Sequence, residues 1–196
     1  MTRSVRRETT AKITGVESVR GQLLIAGPTL ADPNFWRTVV LVVDHNPEGA
    51  LGLVLNRPSE TKIGDAVPEL RELIDPDADV LVGGPVQKSA VIVLAEFVDP
   101  SEAALIAFGD IGVLGNVLNR DLPESGIREA RAFAGHAGWG PGQLDDELER
   151  GDWILEPARR SDAFSERPDS LWPAVLTRKG GSYALVARMP SDPSVN

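Results

Sequence analysis

The chain has no cysteine, only two histidines and 5% aromatic residues among its 196 positions. Without cysteine there is no disulfide framework, zinc–thiolate site, iron–sulfur cluster or cysteine nucleophile. Long apolar runs are also absent: Val39–Val43 and Ala90–Ala95 are far shorter than the roughly 20 residues that span a membrane. No apolar stretch follows the early arginines, so we expect no secretory signal and a cytoplasmic protein.

Charge is abundant but unevenly distributed. The net charge is −9, with 20 Lys and Arg against 29 Asp and Glu. Residues 1–20 carry a net charge of +3, so the rest of the chain carries −12. Because DNA is held first through its phosphates, an acidic body disfavours strong nucleic-acid binding. We expect a flexible basic arm over 1–20, a single domain over 21–189 and a tail over 190–196.

Short elements of both kinds are predicted along the domain. Strands are expected at Gln22–Ala26, Val39–Val43, Ala50–Leu55, Val80–Val82, Ala90–Phe97, Ala104–Phe108, Ile111–Leu114, Trp153–Leu155 and Tyr183–Met189. Helices are expected at 63–74 with a restart at Pro68, at Gly115–Asn119, at Pro141–Arg150 and at Ser170–Thr177, whereas Ile127–Ala134 fits either state. A six-residue turn, Asp44–Gly49, would carry His45. This irregular mixture indicates an α+β fold.

The residues usually responsible for catalysis are sparse. His45 and His136 are 91 positions apart and lack His-x-x-x-His spacing, and no Gly-x-Ser-x-Gly elbow is present. Asp75, Asp77 and Asp79 resemble the start of a calcium loop but lack its glycine and distal glutamate. The glycines before the 141–150 helix suggest a phosphate loop, yet Asp145, Asp146 and Glu147 would repel the anion. We therefore expect no catalytic residue, no metal site and no cofactor.

Several segments, taken in order, resemble the YqgE/AlgH family of bacterial proteins. They are Gly21–Ala26, Asp32–Phe35, Val39–Val43 with His45, Gly49–Pro58, Gly83–Val86, Ala137–Leu144 with Glu147, Trp153 and Trp172. The resemblance implies one α+β domain with a mixed sheet curled toward a barrel and flanking helices. It also implies a cytoplasmic bacterial protein, often described as a transcriptional regulator, with no established catalytic residue to carry over.

Three functions remain open from the sequence. The first is a non-catalytic interaction or regulatory protein with an unknown protein partner, and the second is direct DNA binding, which the charge disfavours. The third is a small-molecule binder or an enzyme with a pocket near Asn56–Arg57, Gly83–Gly84 and Trp139. Arg57 could clamp a carboxylate or phosphate, or pair with an acidic neighbour. The candidate binding residues are Asn56, Arg57, Gly83, Gly84, Gly138, Trp139, Gly140 and Gln143.

Overall fold

The computed structural model describes residues 18–30, 32–115 and 124–189. Ten strands run through this part of the chain. They are β1 Gln22–Ala26, β2 Val39–Asn46, β3 Gly49–Val54, β4 Pro58–Lys62, β5 Asp79–Val82, β6 Val86–Phe97, β7 Leu105–Phe108, β8 Ile111–Val113, β9 Ile127–Trp139 and β10 Trp153–Pro157.

The helices are short and lie between or after the strands. They are α1 Ile63–Ala66, α2 Gln143–Arg150, α3 Arg160–Ala163, α4 Leu171–Lys179 and α5 Tyr183–Val186, with 3₁₀ turns at Pro68–Leu70, Pro100–Glu102 and Pro168–Ser170. No helix in the described ranges is both long enough and apolar enough to cross a membrane.

One large sheet organises the molecule. Its strand order is β10-β1-β2-β3-β9-β6-β8-β7, and these neighbours pair antiparallel. The antiparallel pair β4–β5 joins it through a short parallel pairing of β5 with β9. The sheet is mixed and does not close into a barrel. The structure thus confirms the predicted α+β domain with a mixed sheet and flanking helices.

β9 is the strand on which the rest of the sheet is assembled. It pairs with β6 along its length, with β5 at Phe133 and Ala134, and with β3 at its carboxyl end. Its two faces contribute to different apolar clusters: Phe133 packs with β1, β2 and α4, whereas Ala132 packs with α1 and the turn that follows it. A third cluster holds Trp139 against Leu144 and Trp153.

The structure corrects several sequence expectations. β2 continues to Asn46 and the turn shrinks to Pro47–Glu48, so His45 lies in a strand. Tyr183–Met189 is not a strand, because Tyr183–Val186 forms a helix beside α4. The ambiguous Ile127–Ala134 segment is the first part of β9. The helix expected at Gly115–Asn119 falls largely outside the described residues.

Candidate functional site

The Gly138–Leu144 segment is held by one carboxylate. Oε2 of Glu147 accepts hydrogen bonds from Trp139 Nε1 and Trp153 Nε1, both at 2.8 Å. Its Oε1 accepts from Gln143 Nε2 at 2.9 Å, and Gln143 Oε1 in turn accepts from the Gly140 backbone N–H at 3.1 Å. Gln143 and Glu147 meet because residues four apart share one face of α2. This network fixes the strand end, the turn and the helix together.

Trp139 is a core side chain. It is 7% exposed, and its ring stacks on Phe35 with centroids 6.2 Å apart. Trp153 meets both of these rings edge-on, at 5.5 Å from Phe35 and 6.2 Å from Trp139. Such offset and T-shaped contacts add to the stabilisation from burial itself. Trp139 therefore anchors the loop carrying Phe35 to the end of β9.

The start of α2 does not form an anion site. Gly142 precedes the helix with φ +72°, and Asp145 and Asp146 occupy the first turn. His45 Nε2 lies 3.5 Å from Asp145 Oδ1, while His45 Nδ1 accepts from the Val19 backbone N–H at 3.2 Å. An imidazole that accepts at Nδ1 carries its proton on Nε2 when neutral. His45 thus connects the backbone at Val19, β2 and α2.

Asn56 joins the beginning of β2 to the end of β3. Its Oδ1 accepts from the Val39 backbone N–H at 2.8 Å, and its Nδ2 donates to the Arg37 carbonyl at 2.9 Å. The side chain is 8% exposed. Both polar ends of this amide are consequently satisfied by backbone, and Asn56 acts as a structural clamp.

Gly83 and Gly84 allow two chain segments to cross at very short range. A Cβ on Gly83 would lie 2.2 Å from the Gly135 carbonyl oxygen. A Cβ on Gly84, whose φ is +155°, would lie 2.2 Å from the carbonyl carbon of His136. Only glycine fits such a close approach of backbone to backbone. These residues bring the start of β6 over β9.

A pocket of about 330 Å³ opens beside this crossing, and we call it the Arg57 pocket. Its lining residues come from the loop before β2, the β3–β4 junction and the β5–β6 crossing. They are Pro33, Asn34, Val54, Arg57, Pro58, Val82, Gly84, Pro85 and Lys88. Two of these residues are cationic and none is acidic, in a chain whose net charge is −9.

The rim of the Arg57 pocket combines cationic and apolar groups. Arg57 Nη2 donates to the Trp36 backbone carbonyl at 2.6 Å. The Trp36 side chain is 40% exposed, and the guanidinium of Arg37 lies over its ring, 4.9 Å from the centroid. Val82 and Val86 are each 38% exposed. Large contiguous apolar patches bordered by polar groups mark interaction surfaces, whereas single exposed apolar side chains are ordinary.

Backbone strain concentrates at the same place. Among the described non-glycine residues, positive φ occurs at Arg37, +55°, and at Gln87, +47°. Arg37 follows Trp36, and Gln87 precedes Lys88. Bulky residues in this region of φ cost free energy and persist where the surroundings impose them, often at functional sites. Strained backbone thus occurs next to two of the segments that line the Arg57 pocket.

The eight sequence-predicted binding residues divide into two groups. Arg57 and Gly84 line the Arg57 pocket, and Asn56 and Gly83 are their chain neighbours. Trp139, Gly140 and Gln143 belong to the Glu147 network, Gly138 pairs with Leu51 of β3, and none of these four residues lines the pocket. The two groups are linked through the loop that carries both Asn34 and Phe35.

Comparison with known proteins gives a consistent result. The family model described as AlgH-like matches residues 23–184. This chain belongs to the AlgH-like family. A UPF0301 protein of Streptomyces coelicolor is 41% identical over 190 residues, covering 94% of this chain and 98% of the relative. A UPF0301 protein of Thermobifida fusca is 40% identical over 191 residues, covering 91% of this chain and 96% of the relative.

Solved structures support the same family. The crystal structure of protein DIP2367 from Corynebacterium diphtheriae superposes with a TM-score of 0.77 at 26% identity, covering 89% of this chain and 94% of that chain. The solution structure of AlgH from Pseudomonas aeruginosa gives 0.68 at 29% identity, covering 93% and 100%. The resemblance stated from sequence motifs is thereby confirmed.

Some site residues could not be selected from the sequence. Asn34 lies within the family-like segment Asp32–Phe35, but nothing there indicated that it would face Arg57. Lys88 had no local signal, because only the Gly83–Gly84 crossing brings the start of β6 to Arg57. Glu147 had a usable local signal in the sequence, since it follows Gln143 by four positions on a predicted helix.

Within the described ranges no group of three or more His, Asp or Glu side chains could hold an ion. His136 Nδ1 is buried and has no hydrogen-bond partner among the described residues, and burial lowers the pKa of this imidazole from its ordinary 6.5. His136 lies in β9, where Gly84 crosses its backbone, and it does not line the Arg57 pocket.

Proposed function

We propose that this protein is a non-catalytic, cytoplasmic interaction protein that receives an acidic segment of a regulatory partner protein in the Arg57 pocket. One observation carries the proposal: a pocket with two cations and no acid in its lining, in a strongly acidic chain. A carboxylate that enters this pocket forms charge-assisted hydrogen bonds with the two cations, whereas most of the acidic surface repels it.

The two cations are suited to different parts of that task. The planar guanidinium of Arg57 is held by the Trp36 carbonyl and can bind a carboxylate through its remaining N–H groups. Lys88 is exposed, and its ammonium makes no hydrogen bond or ion pair with the described residues, so it is free to follow a mobile acidic side chain. Together they favour a short acidic stretch over a single charge.

The apolar rim favours a protein over a free ion. Val82 lines the pocket and is exposed. Val86, which follows the lining residue Pro85, and Trp36, whose backbone carbonyl holds Arg57, are exposed apolar side chains close by along the chain. Interfaces commonly place aromatic and arginine anchors together, with polar groups around them. The fixed backbone at Arg37 and Gln87 reduces the entropy lost on binding, because these loops need not be ordered by the partner.

The motif residues favour binding over chemistry. Asn56, Gly83, Gly84, Trp139 and Gln143 are used to hold backbone and to fill core space. Neither histidine lines the Arg57 pocket. A role in regulating transcription would then operate through the partner protein rather than through direct contact with DNA, which the acidic body repels.

A small molecule that carries a carboxylate or phosphate is the alternative occupant. The volume of about 330 Å³ is within the range of small-molecule sites. Its binding would use the same two cations but would not require the apolar rim. Substitution of Trp36 by alanine therefore separates the alternatives, since it weakens a protein partner and leaves a small anion bound.

The direct experiment places a photo-crosslinking amino acid at Val86 and identifies the captured peptide. The test variant is R57E/K88E, and the matched control is R20E/R167E, which makes the same charge change at two exposed arginines outside the pocket. We expect capture of a partner segment rich in Asp and Glu, lost in R57E/K88E and retained in the control.

Two outcomes contradict the proposal. One is a captured segment without acidic residues, and the other is equal capture by R57E/K88E and the control. A reproducible turnover by the purified chain that the R57E/K88E variant loses would instead identify the pocket as a catalytic site.

A further inference from the structure

A second cavity, of about 440 Å³, runs along one edge of β9, and we call it the Arg131 groove. Five consecutive residues, Arg128–Ala132, form its floor. One wall includes Leu73 and Ile74 from the segment before β5, and the other includes Glu166 and Pro168 from the segment after α3. A floor of consecutive strand residues means that the groove follows the strand edge.

That strand edge lacks a neighbour. β5 pairs with β9 only at Leu81 and Val82, opposite Phe133 and Ala134. Within the described chain, β6 is the one strand that pairs with Ile127–Ala132. The Gly83 N–H donates to the Ala134 carbonyl on the β5 side. Because strand residues alternate, Ala132 and Ala130 turn their backbone groups to that same side. Ala132 is 2% exposed, so the accessible part of this edge lies at Ala130, which is partly exposed.

Arg131 supplies a charged group at this edge. Its guanidinium makes no hydrogen bond or ion pair with any residue in the part of the chain that the structure describes, although it is half-buried. Burial lowers the pKa of Arg131, with the charges of Glu129 and Glu166 opposing that shift. Its neighbours on the strand are already occupied: Arg128 donates to the Phe97 carbonyl, and Glu129 accepts from Arg160.

We propose that the Arg131 groove binds an extended peptide of a partner protein, which adds a strand to the open edge of β9 and places an Asp or Glu against Arg131. Main-chain hydrogen bonds provide sequence-independent affinity in this mode, and alternate side chains provide specificity. The residues flanking the acid point to the opposite wall, where Leu73 and Ile74 favour apolar side chains. The occupant therefore alternates apolar and acidic residues.

A free phosphate fits this groove poorly. Four carboxylates line the groove against two arginines, so a doubly charged anion would meet more repulsion than attraction; they are those of Asp75, Asp79, Glu129 and Glu166. A peptide places one carboxylate at Arg131 and can place a basic residue beside Glu166. The groove is separate from the Arg57 pocket in its lining, apart from Pro58.

The test uses the full chain and the blocked pentapeptide acetyl-Lys-Val-Glu-Val-Lys-amide, followed by the amide NMR signals of Arg128–Ala132. In an extended peptide the glutamate faces Arg131 while both valines face the apolar wall. The comparison peptide replaces glutamate with glutamine. Two further peptides are N-methylated. One is methylated at both valines and loses both of its donors on that edge, and the other is methylated at the glutamate and loses the central donor of the opposite edge.

We expect saturable shifts of the Arg128–Ala132 amides at peptide concentrations up to millimolar. One of the two N-methylated peptides should lose binding, because only one edge of the peptide pairs with β9. The glutamine peptide and the R131Q variant should each bind about tenfold more weakly. When the glutamine peptide is bound to R131Q, the loss in binding free energy should be smaller than the sum of the two single losses, since both changes remove the same contact.

Three results overturn the proposal: no shift of these amides at millimolar peptide, binding that survives both N-methylated peptides, or a glutamine peptide that binds as well as the parent. The peptide comparisons use the unsubstituted chain and do not depend on R131Q folding. R57E/K88E should bind the pentapeptide normally, so failure here is distinguishable from failure at the Arg57 pocket.

Discussion

Glu147 shows how one side chain can set the shape of a whole motif. Its carboxylate receives three hydrogen bonds, two of them from indole N–H groups of core tryptophans. Such donors would be costly to leave unpaired in a buried site. The Gly-Trp-Gly-x-Gly-Gln-Leu sequence therefore needs a glutamate one helical turn after its glutamine, and the motif is best understood as a structural unit.

Replacing this carboxylate should destabilise the fold. Glu147→Ala leaves the N–H groups of Trp139 and Trp153 without their acceptor, and we expect a loss of about 2–3 kcal/mol in the free energy of unfolding. Glu149→Ala is the matched control on the same helix, because its side chain is exposed, and it should change stability by about 0.5 kcal/mol or less. Urea unfolding measures both, and equal losses would show that the network contributes nothing.

His136 makes stability depend on pH in a predictable direction. Burial holds its pKa in the folded chain below the ordinary 6.5. As the pH falls through 6.5 the unfolded chain takes up a proton before the folded chain does, so stability decreases until the lowered pKa is reached. Stability at this site thus rises with pH across that window and is constant above it.

Two measurements check this prediction. An NMR titration of the His136 ring should give a pKa below 6.5. The His136→Gln variant should lose less stability than the unsubstituted chain between about pH 7 and pH 5, because it lacks the titrating ring. A ring pKa at or above 6.5 would show that the imidazole is not destabilised by burial.

At the level of elements, Asn56 decides how two strands begin and end. It is not part of either ladder, yet it bonds the backbone of Val39 and Arg37. This explains why an asparagine follows the β3 strand: its amide offers a donor and an acceptor on one short side chain. It also fixes Arg37, whose strained neighbourhood borders the Arg57 pocket.

Loss of this clamp should be costly. Asn56→Ala leaves the buried Val39 N–H and the Arg37 carbonyl without their side-chain partners, and we expect a loss of about 2–3 kcal/mol in the free energy of unfolding. Asn46→Ala is the control in the same hairpin: it also removes two side-chain hydrogen bonds, to Asp44 Oδ2 and from the Glu48 N–H, but these are exposed to solvent, so it should cost about 1 kcal/mol or less. Denaturant midpoints that do not differ between the two variants would contradict this role.

Strong local patterns predicted their elements correctly, whereas tertiary contacts decided the others. The apolar runs of β1, β2 and β6 and the acidic start with glycine stop of α2 were sufficient. The strand predicted at Tyr183–Met189 was wrong, because four consecutive apolar or aromatic residues fit a strand or a helical turn equally well. Contact with α4 selects the helix. The Arg57 pocket required the Gly83–Gly84 crossing, which no local pattern contains.

For the whole molecule, the uneven charge governs what can approach it. Outside residues 1–20 the chain carries −12, and cationic pockets such as the one at Arg57 are local exceptions on an acidic body. Long-range repulsion discourages nucleic acids and acidic proteins alike, so an acidic partner segment needs a site where the local field is reversed. Affinity should then depend on a few named side chains and on salt.

Duplex DNA should bind weakly at most. At about 150 mM salt we expect a dissociation constant no tighter than micromolar in fluorescence anisotropy, with binding lost on modest addition of salt. Changing Arg3, Arg6 and Arg7 to glutamine should abolish whatever binding appears at low salt. Tight, sequence-specific binding at 150 mM salt would contradict this expectation.

In the proposed function the motif residues build the framework, and Arg57 and Lys88 bind the partner. The most direct measurement uses the segment that crosslinking at Val86 identifies, made as a labelled synthetic peptide. It is titrated into the unsubstituted chain, into R57E/K88E and into the control R20E/R167E. We expect R57E/K88E to unfold at the same urea concentration as the control yet to lose at least tenfold in affinity. Equal affinity in all three chains would contradict it.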